Sequence, residues 1–325
     1  MNRAKHLRRA LCVCLLASRV AVSPAFGQDV GTCPPPSPTP LSAQQVQEGM
    51  AQARDRGFLW RLTKGEHSSY LYGTIHMAKR EWAFPGPRIL QALREIDTVA
   101  LEVDPLDPKV RQELGSGLSR PPAQLEVPAA LQERIERRMA FECVAPETLK
   151  KLAPQMQVLA LILLAARRDG LEVAYGMDAV LAGFARTAKK NIVSLESTDT
   201  QLRASRALLG QGTSTSLDKA LDELESGRAS ANLARLATMW AEGDLAQLQR
   251  YDPTENDSDS EIRRALSAQV LDDRNRGMAT GIDVLHSSGS RVFAAVGFLH
   301  MVGPLGLPTL MSERGYKVEA ITLAR

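Results

Sequence analysis

The sequence predicts an α/β protein: a central mixed β-sheet flanked by helices, with a large helical insertion between about residues 105 and 285. Three observations carry this expectation. Two short apolar runs, Thr98-Val-Ala-Leu-Glu-Val103 and Ile192-Val-Ser-Leu-Glu196, each follow a helical pattern, and such alternation builds sheets with parallel strands. Val292-Phe-Ala-Ala-Val-Gly297 is apolar throughout and reads as a strand buried on both faces. Phe58-Leu-Trp-Arg-Leu62 and Ser69-Tyr-Leu-Tyr72 pair as a hairpin through Lys64-Gly-Glu-His67, which makes the sheet mixed rather than purely parallel.

In chain order, residues 1–27 read as a signal peptide. Arg3, Lys5, Arg8 and Arg9 precede the apolar run Leu11–Ser18, and small residues flank Phe26 at a cleavage site. The run is too short to span a bilayer, and no other stretch is long and apolar enough, so the expectation is a secreted, periplasmic protein without a membrane span. Residues 28–57 hold a stiff linker, Pro34-Pro-Pro-Ser-Pro-Thr-Pro40, and a helix from Leu41 to Gly57 with Ser42 as N-cap. The domain then runs over 58–325. A helix is expected over Pro87–Glu95, helical pattern over Pro122–Arg168, and a helix opening at Tyr175-Gly-Met-Asp178 and running to Lys190. Residues 198–250 are helical apart from a polar break at Gly210–Ser216. Asp252–Asp259 is an acidic loop without the glycine turn of an EF-hand, and Glu261–Leu285 is a long helix. A short helix to Arg314 and a last strand over Tyr316–Thr322 close the chain.

Composition excludes several classes. The chain of 325 residues carries 40 Lys and Arg against 37 Asp and Glu. Five of the basic residues fall within residues 1–27, which hold no acid; 35 then face 37, and this near-neutral balance gives no electrostatic footprint for nucleic acid. No Walker-type glycine loop, strand-borne G-x-G-x-x-G, G-x-S-x-G elbow or paired C-x-x-C occurs. Two of four cysteines lie in the signal; Cys33 and Cys143 remain, and an oxidising compartment permits a bond between them, a free pair, or a link between two chains.

Chemistry concentrates in a repeated unit. Tyr70-Leu-Tyr-Gly73-Thr-Ile-His76 and Val296-Gly297-Phe-Leu-His300 both place a histidine three residues after a glycine that ends a strand, where a scaffold presents reactive groups on its rim. His67 and His286 sit in polar turns, with exposure expected. His76 and His300 equally suit capping or core roles. Glu102, within an apolar strand, needs an arginine, a hydrogen-bond network or a metal. If the strands are neighbours, two imidazoles and Glu102 supply a divalent ion with a hydrolytic ligand set and an open position for water. Glu196 and Asp178 are candidates to take the proton of that water, and Arg274 to stabilise an oxyanion.

At these residues a resemblance enters. Gly73-Thr-Ile-His76, Ala100-Leu-Glu-Val-Asp104, Tyr175-Gly-Met-Asp178, Leu195-Glu-Ser-Thr-Asp-Thr-Gln201, Asp273-Arg-Asn-Arg276 and Val296-Gly-Phe-Leu-His-Met-Val-Gly303 stand in the order seen in the TraB/GumN family. The sequence resembles that family over roughly residues 58–325. The family includes the Tiki metalloproteases and bacterial pheromone-shutdown proteins and is related to the erythromycin-esterase and ChaN-like haem-binding folds. The resemblance implies a metal-dependent peptidase with His76, Glu102 and His300 as the metal site, Gly73 and Gly297 as the matching glycines, and Arg274 with Asn275 as a pocket-side pair. It implies manganese or cobalt, with zinc also compatible with the ligand set, and a peptide or protein substrate. Oligomeric state stays open. A non-catalytic protein that sequesters a peptide, haem or metal, or a small-molecule esterase, are the alternatives.

Overall fold

The computed structural model describes residues 33–119, 127–207, 213–251 and 260–323, and for residues 260–269 the backbone alone. The signal peptide, the first part of the polar break and the acidic loop at 252–259 therefore lie outside the described residues.

Two strands open the domain, β1 (Phe58–Lys64) and β2 (His67–Thr74), as an antiparallel hairpin with Lys64 facing His67. Gly65 makes the turn at φ +67°, a conformation open to glycine at no steric cost. β3 (Thr98–Leu101), β4 (Asn191–Ser194), β5 (Val292–Gly297) and β6 (Lys317–Ile321) complete a six-stranded sheet of order β4-β3-β5-β2-β1-β6. β4, β3, β5 and β2 run parallel, and β1 is antiparallel to both β2 and β6. The mixed α/β sheet expected from the sequence is therefore present. β5 is the last of these parallel strands in the chain and lies between the first two, with every residue buried. Its apolar composition explains the position, because only a central strand covered on both faces can bury such a run.

The helices follow from caps and apolar faces. α1 (Ala43–Ala51) starts at a capping box between Ser42 and Gln45, but it buries no residue and stops well before Gly57. Gly57 serves another purpose: at φ +78° it turns the chain into β1, and a β-carbon there would stand 2.7 Å from Trp240 Nε1. α2 (Pro87–Glu95) has the expected bounds, with Pro87 in its first turn and Asp55 accepting from the Arg88 and Ile89 amides. α3 (Pro108–Ser119), α4 (Ala129–Phe141), α5 (Pro146–Leu149) and α6 (Pro154–Ala165) follow β3. α7 (Met177–Thr187) leads into β4; α8 (Thr198–Ala207), α9 (Ser214–Glu225), α10 (Arg228–Glu242) and α11 (Leu245–Gln249) come next. α12 (Ser260–Ser287) leads into β5, and α13 (Leu307–Glu313) into β6. The insertion is thus split by β4. Among the described helices, α4, α5, α6 and α9 share a core of their own, including Ile135, Val158, Leu161, Leu217, Leu221 and Leu224. Cys33 and Cys143 are disulfide-bonded, which ties the proline-rich segment to the residues after α4. Trp240, fully buried, donates from Nε1 to the Gly73 carbonyl (2.8 Å) and so fastens α10 to the end of β2. No described helix is long and apolar enough to cross a membrane.

His286 departs from expectation. It is 2% exposed, at the end of α12. Its Nε2 donates to the Lys64 carbonyl (2.9 Å), so Nδ1 carries the lone pair and accepts from the Ser69 hydroxyl (2.8 Å), which in turn accepts from the Val292 amide (3.0 Å). His67 stacks on it at 4.0 Å, and Lys64 and Asp283 lie nearby. A polar local sequence signals a turn, but the docking of α12 against the hairpin decides the burial. Burial foremost, then the charges of His67 and Lys64, outweigh the Lys64 carbonyl and Asp283 and lower its pKa from 6.5. The unfolded chain then takes the proton first, so stability falls as pH drops below the unfolded value of about 6.5. The Tm of the parent protein is expected to fall more steeply from pH 6.5 to 5 than that of His286→Gln. Parallel slopes in thermal melts would rule His286 out as a source of acid sensitivity.

Candidate metal centre

Parallel strands end on one edge of a sheet, and the residues just past them meet there. Glu102 follows β3, Glu196 follows β4, His76 follows β2 and His300 follows β5. Gly73 faces Val296 and Thr74 faces Gly297 across the β2/β5 pair, so the two Gly-x-x-His units, distant in sequence, are neighbours. The Glu196 amide donates to the Glu102 carbonyl (2.9 Å), which carries the β3/β4 pairing past the strand ends.

Gly297 is where the groups converge. A β-carbon built on it would stand 3.1 Å from Glu102 Oε1, 3.5 Å from His76 Nε2 and 3.7 Å from His300 Cδ2. Each ring is aimed by a partner on its other nitrogen. His76 Nδ1 lies 2.7 Å from Asp178 Oδ2, and Asp178 Oδ1 accepts from the Thr74 hydroxyl (3.0 Å). His300 Nδ1 lies 2.5 Å from Asn275 Oδ1, and Asn275 Nδ2 donates to the Leu305 carbonyl (2.8 Å). Because that amide nitrogen is spent on a carbonyl, Asn275 must accept from His300, so Nδ1 carries the hydrogen and Nε2 a free lone pair. His300 is buried, and burial is the main cause that lowers its pKa to about 4, against the opposing charge of Glu102. His76, with 66% of its side chain exposed, forms the open side; the charge of Asp178, chiefly, raises it to about 9.

Glu102 is 5% exposed and has the arginine partner that a buried carboxylate needs. Oε1 accepts from the Gly297 amide (2.7 Å), and Oε2 accepts from Arg274 Nη2 (2.6 Å) and Gln201 Nε2 (2.7 Å). Burial alone would raise its pKa, but His300, His76, Arg274 and the Gly297 amide together hold it well below the usual carboxylate range. Glu196 takes Arg274 Nε at 2.8 Å on Oε1, and Arg274 Nη2 (2.6 Å) and Gln201 Nε2 (2.8 Å) on Oε2. Arg274 is thus a bridge between two glutamates. Burial opposes its charge, but the two carboxylates raise its pKa. Sequence reasoning passed over Gln201 as a site residue; its signal was its place five residues after Glu196, one helical turn into α8. A cleft of about 560 Å³ between α8 and α12 borders Glu196 and Arg274.

Two observations test whether these residues suit a divalent ion. His76 Nε2 and Glu102 Oε1 are 4.0 Å apart, inside the outer limit of about 4.4 Å for two ligands of one ion and a few tenths of an ångström wider than the roughly 3.3–3.6 Å of a tetrahedral pair, so a small inward shift of His76 brings both onto one ion. In the metal-free site His76, held up to about 9 chiefly by Asp178, carries a proton, so the three carboxylates Glu102, Glu196 and Asp178 against Arg274 and His76 leave one negative charge; when His76 gives up that proton, two negative charges face a divalent cation. Among the described residues no three His, Cys, Asp or Glu side chains already form a ligand cage. The donor set therefore fits in kind, direction and charge, without being closed.

The matching family model, the TraB/PrgY/gumN family, covers residues 58–320. Two relatives, both carrying the name Uncharacterized protein YbaP and coming from Shigella flexneri and Escherichia coli (strain K12), are each 27% identical over 258 residues, covering 76% of this chain and 89% of the relative. No solved structure matches the chain. A family model that spans the sheet up to the penultimate residue of β6 and takes in all the converging residues leaves one conclusion: the chain belongs to the TraB/PrgY/gumN family.

Proposed function

We propose that this protein is an exported, metal-dependent hydrolase that cleaves peptide bonds, with His76, Glu102 and His300 holding the ion. The observation that carries the reading is the convergence of two oriented imidazoles and one buried carboxylate around Gly297. When bound, a divalent ion such as manganese, cobalt or zinc supplies an acidified water and a Lewis acid for the scissile carbonyl. The chain's own groups do the rest. Asp178 and Asn275 aim the rings, and Arg274 pairs with both Glu102 and Glu196. Asp178 and Glu196 are the carboxylates left to take a proton, and both already accept hydrogen bonds, which ties proton uptake to the movement of a partner. Arg274 Nη1 is the guanidinium nitrogen outside the contacts to the glutamates and is the one available to an oxyanion. The Cys33–Cys143 disulfide supports an oxidising, periplasmic location.

Metal content of the mature protein, purified without chelating resin, tests the reading alongside His76→Ala and His300→Ala. The expected result is about one transition-metal ion per chain, at least tenfold less in either variant, with circular dichroism unchanged. Parent protein that stays metal-free after manganese, cobalt and zinc are each supplied sinks the proposal. The closed ion pairing of Glu102 and Glu196 with Arg274 favours a second reading, a non-catalytic binding protein. Chelator-sensitive turnover of a peptide library excludes it, and turnover of esters alone points to an esterase.

A further inference from the structure

We infer that Gln201 is a positioning residue of this centre, a neutral double donor that dedicates one oxygen of Glu102 to the scaffold and leaves the other to the imidazoles. Its effect on ion binding rests on the function proposed above; its effect on Glu102 rests on geometry alone.

The Gln201 amide nitrogen has two hydrogens and two carboxylate oxygens in reach, Glu102 Oε2 at 2.7 Å and Glu196 Oε2 at 2.8 Å. An amide oxygen in that place would face both carboxylates, so the network itself assigns the amide. Arg274 Nη2 donates to the same two oxygens, each at 2.6 Å. Two donors and two acceptors close a ring that fills both lone pairs of Glu102 Oε2. Oε1, which accepts from the Gly297 amide at 2.7 Å, keeps one lone pair, and it is the atom 4.0 Å from His76 Nε2. The ring thus decides which oxygen faces the histidines.

The local sequence delivers Gln201 to this place. Ser197 starts α8, its hydroxyl accepting from the Thr200 amide (3.2 Å) and its carbonyl from the Gln201 amide (3.2 Å). Side chains on a helix lean toward its N-terminus, so Gln201 points back at Glu196, just before the helix. Its neutrality also has a consequence. Arg274 against two glutamates leaves one negative charge, and a lysine or arginine at 201 would cancel it, whereas an amide holds the same oxygens and preserves the attraction for a cation.

The test uses the full mature chain with Gln201→Met, which keeps the shape and removes the donors, and Gln201→Lys, which keeps donors and adds charge. Two readouts are taken: affinity for manganese by titration calorimetry, and the amide proton shift of Gly297 in metal-free protein. The expected results are a roughly 10–100-fold loss of manganese affinity in Gln201→Met, the range for outer-shell partners, and an upfield move of the Gly297 amide. Gln201→Lys is expected to leave the Gly297 amide in place and still weaken manganese binding. A Gly297 amide unmoved in Gln201→Met, or one displaced equally by lysine, overturns the inference, since packing rather than hydrogen bonding would then hold Glu102. If the parent binds no metal while the amide moves in Gln201→Met alone, the metal reading falls and the positioning role stands. Should Gln201→Met not fold, Gln201→Ala, which also removes the donors, decides by the same shift.

Discussion

Alanine at position 297 is expected to abolish the ion binding and hydrolysis proposed above while the protein stays folded, the largest functional effect of any single methyl group here. Gly297 has φ −46° and ψ 132°, a conformation open to any L-residue, so the backbone takes alanine without strain. The added carbon is placed 3.1 Å from Glu102 Oε1 and 3.5 Å from His76 Nε2, in the space on which the donors converge. The ring of His300, whose Cδ2 would be 3.7 Å away, closes the third side. The expected outcome is at least a roughly 100-fold loss in manganese affinity and in any chelator-sensitive turnover, the order seen when reacting groups are misplaced by about 1 Å. Melting temperature should move by no more than a few degrees. Alanine at 297 with parental affinity would place the ion elsewhere. Gly73, the other glycine of the repeat, differs: a β-carbon there meets the backbone-proximal atoms of Phe298 at 3.0 Å, so its constraint is packing.

Arg274→Ala is expected to be the most destabilising change at the site. Glu102 and Glu196 have side chains 6% and 4% exposed, and the guanidinium is the full charge between them. Removing one partner of a buried ion pair leaves an uncompensated charge and costs about 3–5 kcal/mol. For a domain of this size that corresponds to a fall in Tm on the order of 10 °C at pH 7.5. The sign of the pH dependence gives a second check. In the parent, Glu102 is held below its unfolded value, so its contribution is present at neutral pH and is lost as acid protonates it. In the variant His300, His76 and the Gly297 amide still hold Glu102 down, but less far than with Arg274 present. The gap in Tm between the two proteins therefore stays constant at neutral pH and narrows only below the unfolded value of 4.5. A loss below about 1 kcal/mol, independent of pH, would mean that the pair behaves like an exposed one.

Much of this was legible in the residues. Pro87 and the apolar spacing after it marked α2 at its observed ends, and the Lys64–His67 turn marked the hairpin with its register. Both are local: a cap, a turn and a short-range pairing. Glu102 was recognisable as needing a partner, because a carboxylate inside an apolar run has few stable alternatives, and Arg274 was already singled out by its motif. Its role as a bridge was not legible, since the bonds to Glu102 and Glu196 join α12 to strands early and midway in the chain. His286 was misread as exposed for the same reason: its neighbours in sequence are polar, and its neighbours in space are Ser69, Lys64 and Tyr316.

The sequence by itself determined the α/β class and the family resemblance, and singled out two histidines and one glutamate as candidates for a shared site. These depend on apolar periodicity, on the repeated Gly-x-x-His spacing and on the cost of burying charge, all properties of a residue and its near neighbours. Only the tertiary structure decided that β5 inserts between β3 and β2, that Asp178 and Asn275 set the ring orientations, and that Gln201 with Arg274 selects one oxygen of Glu102. Those follow from hydrogen bonds between segments distant in the chain. Which partner a buried polar group finds is settled by the strand order that the whole core imposes.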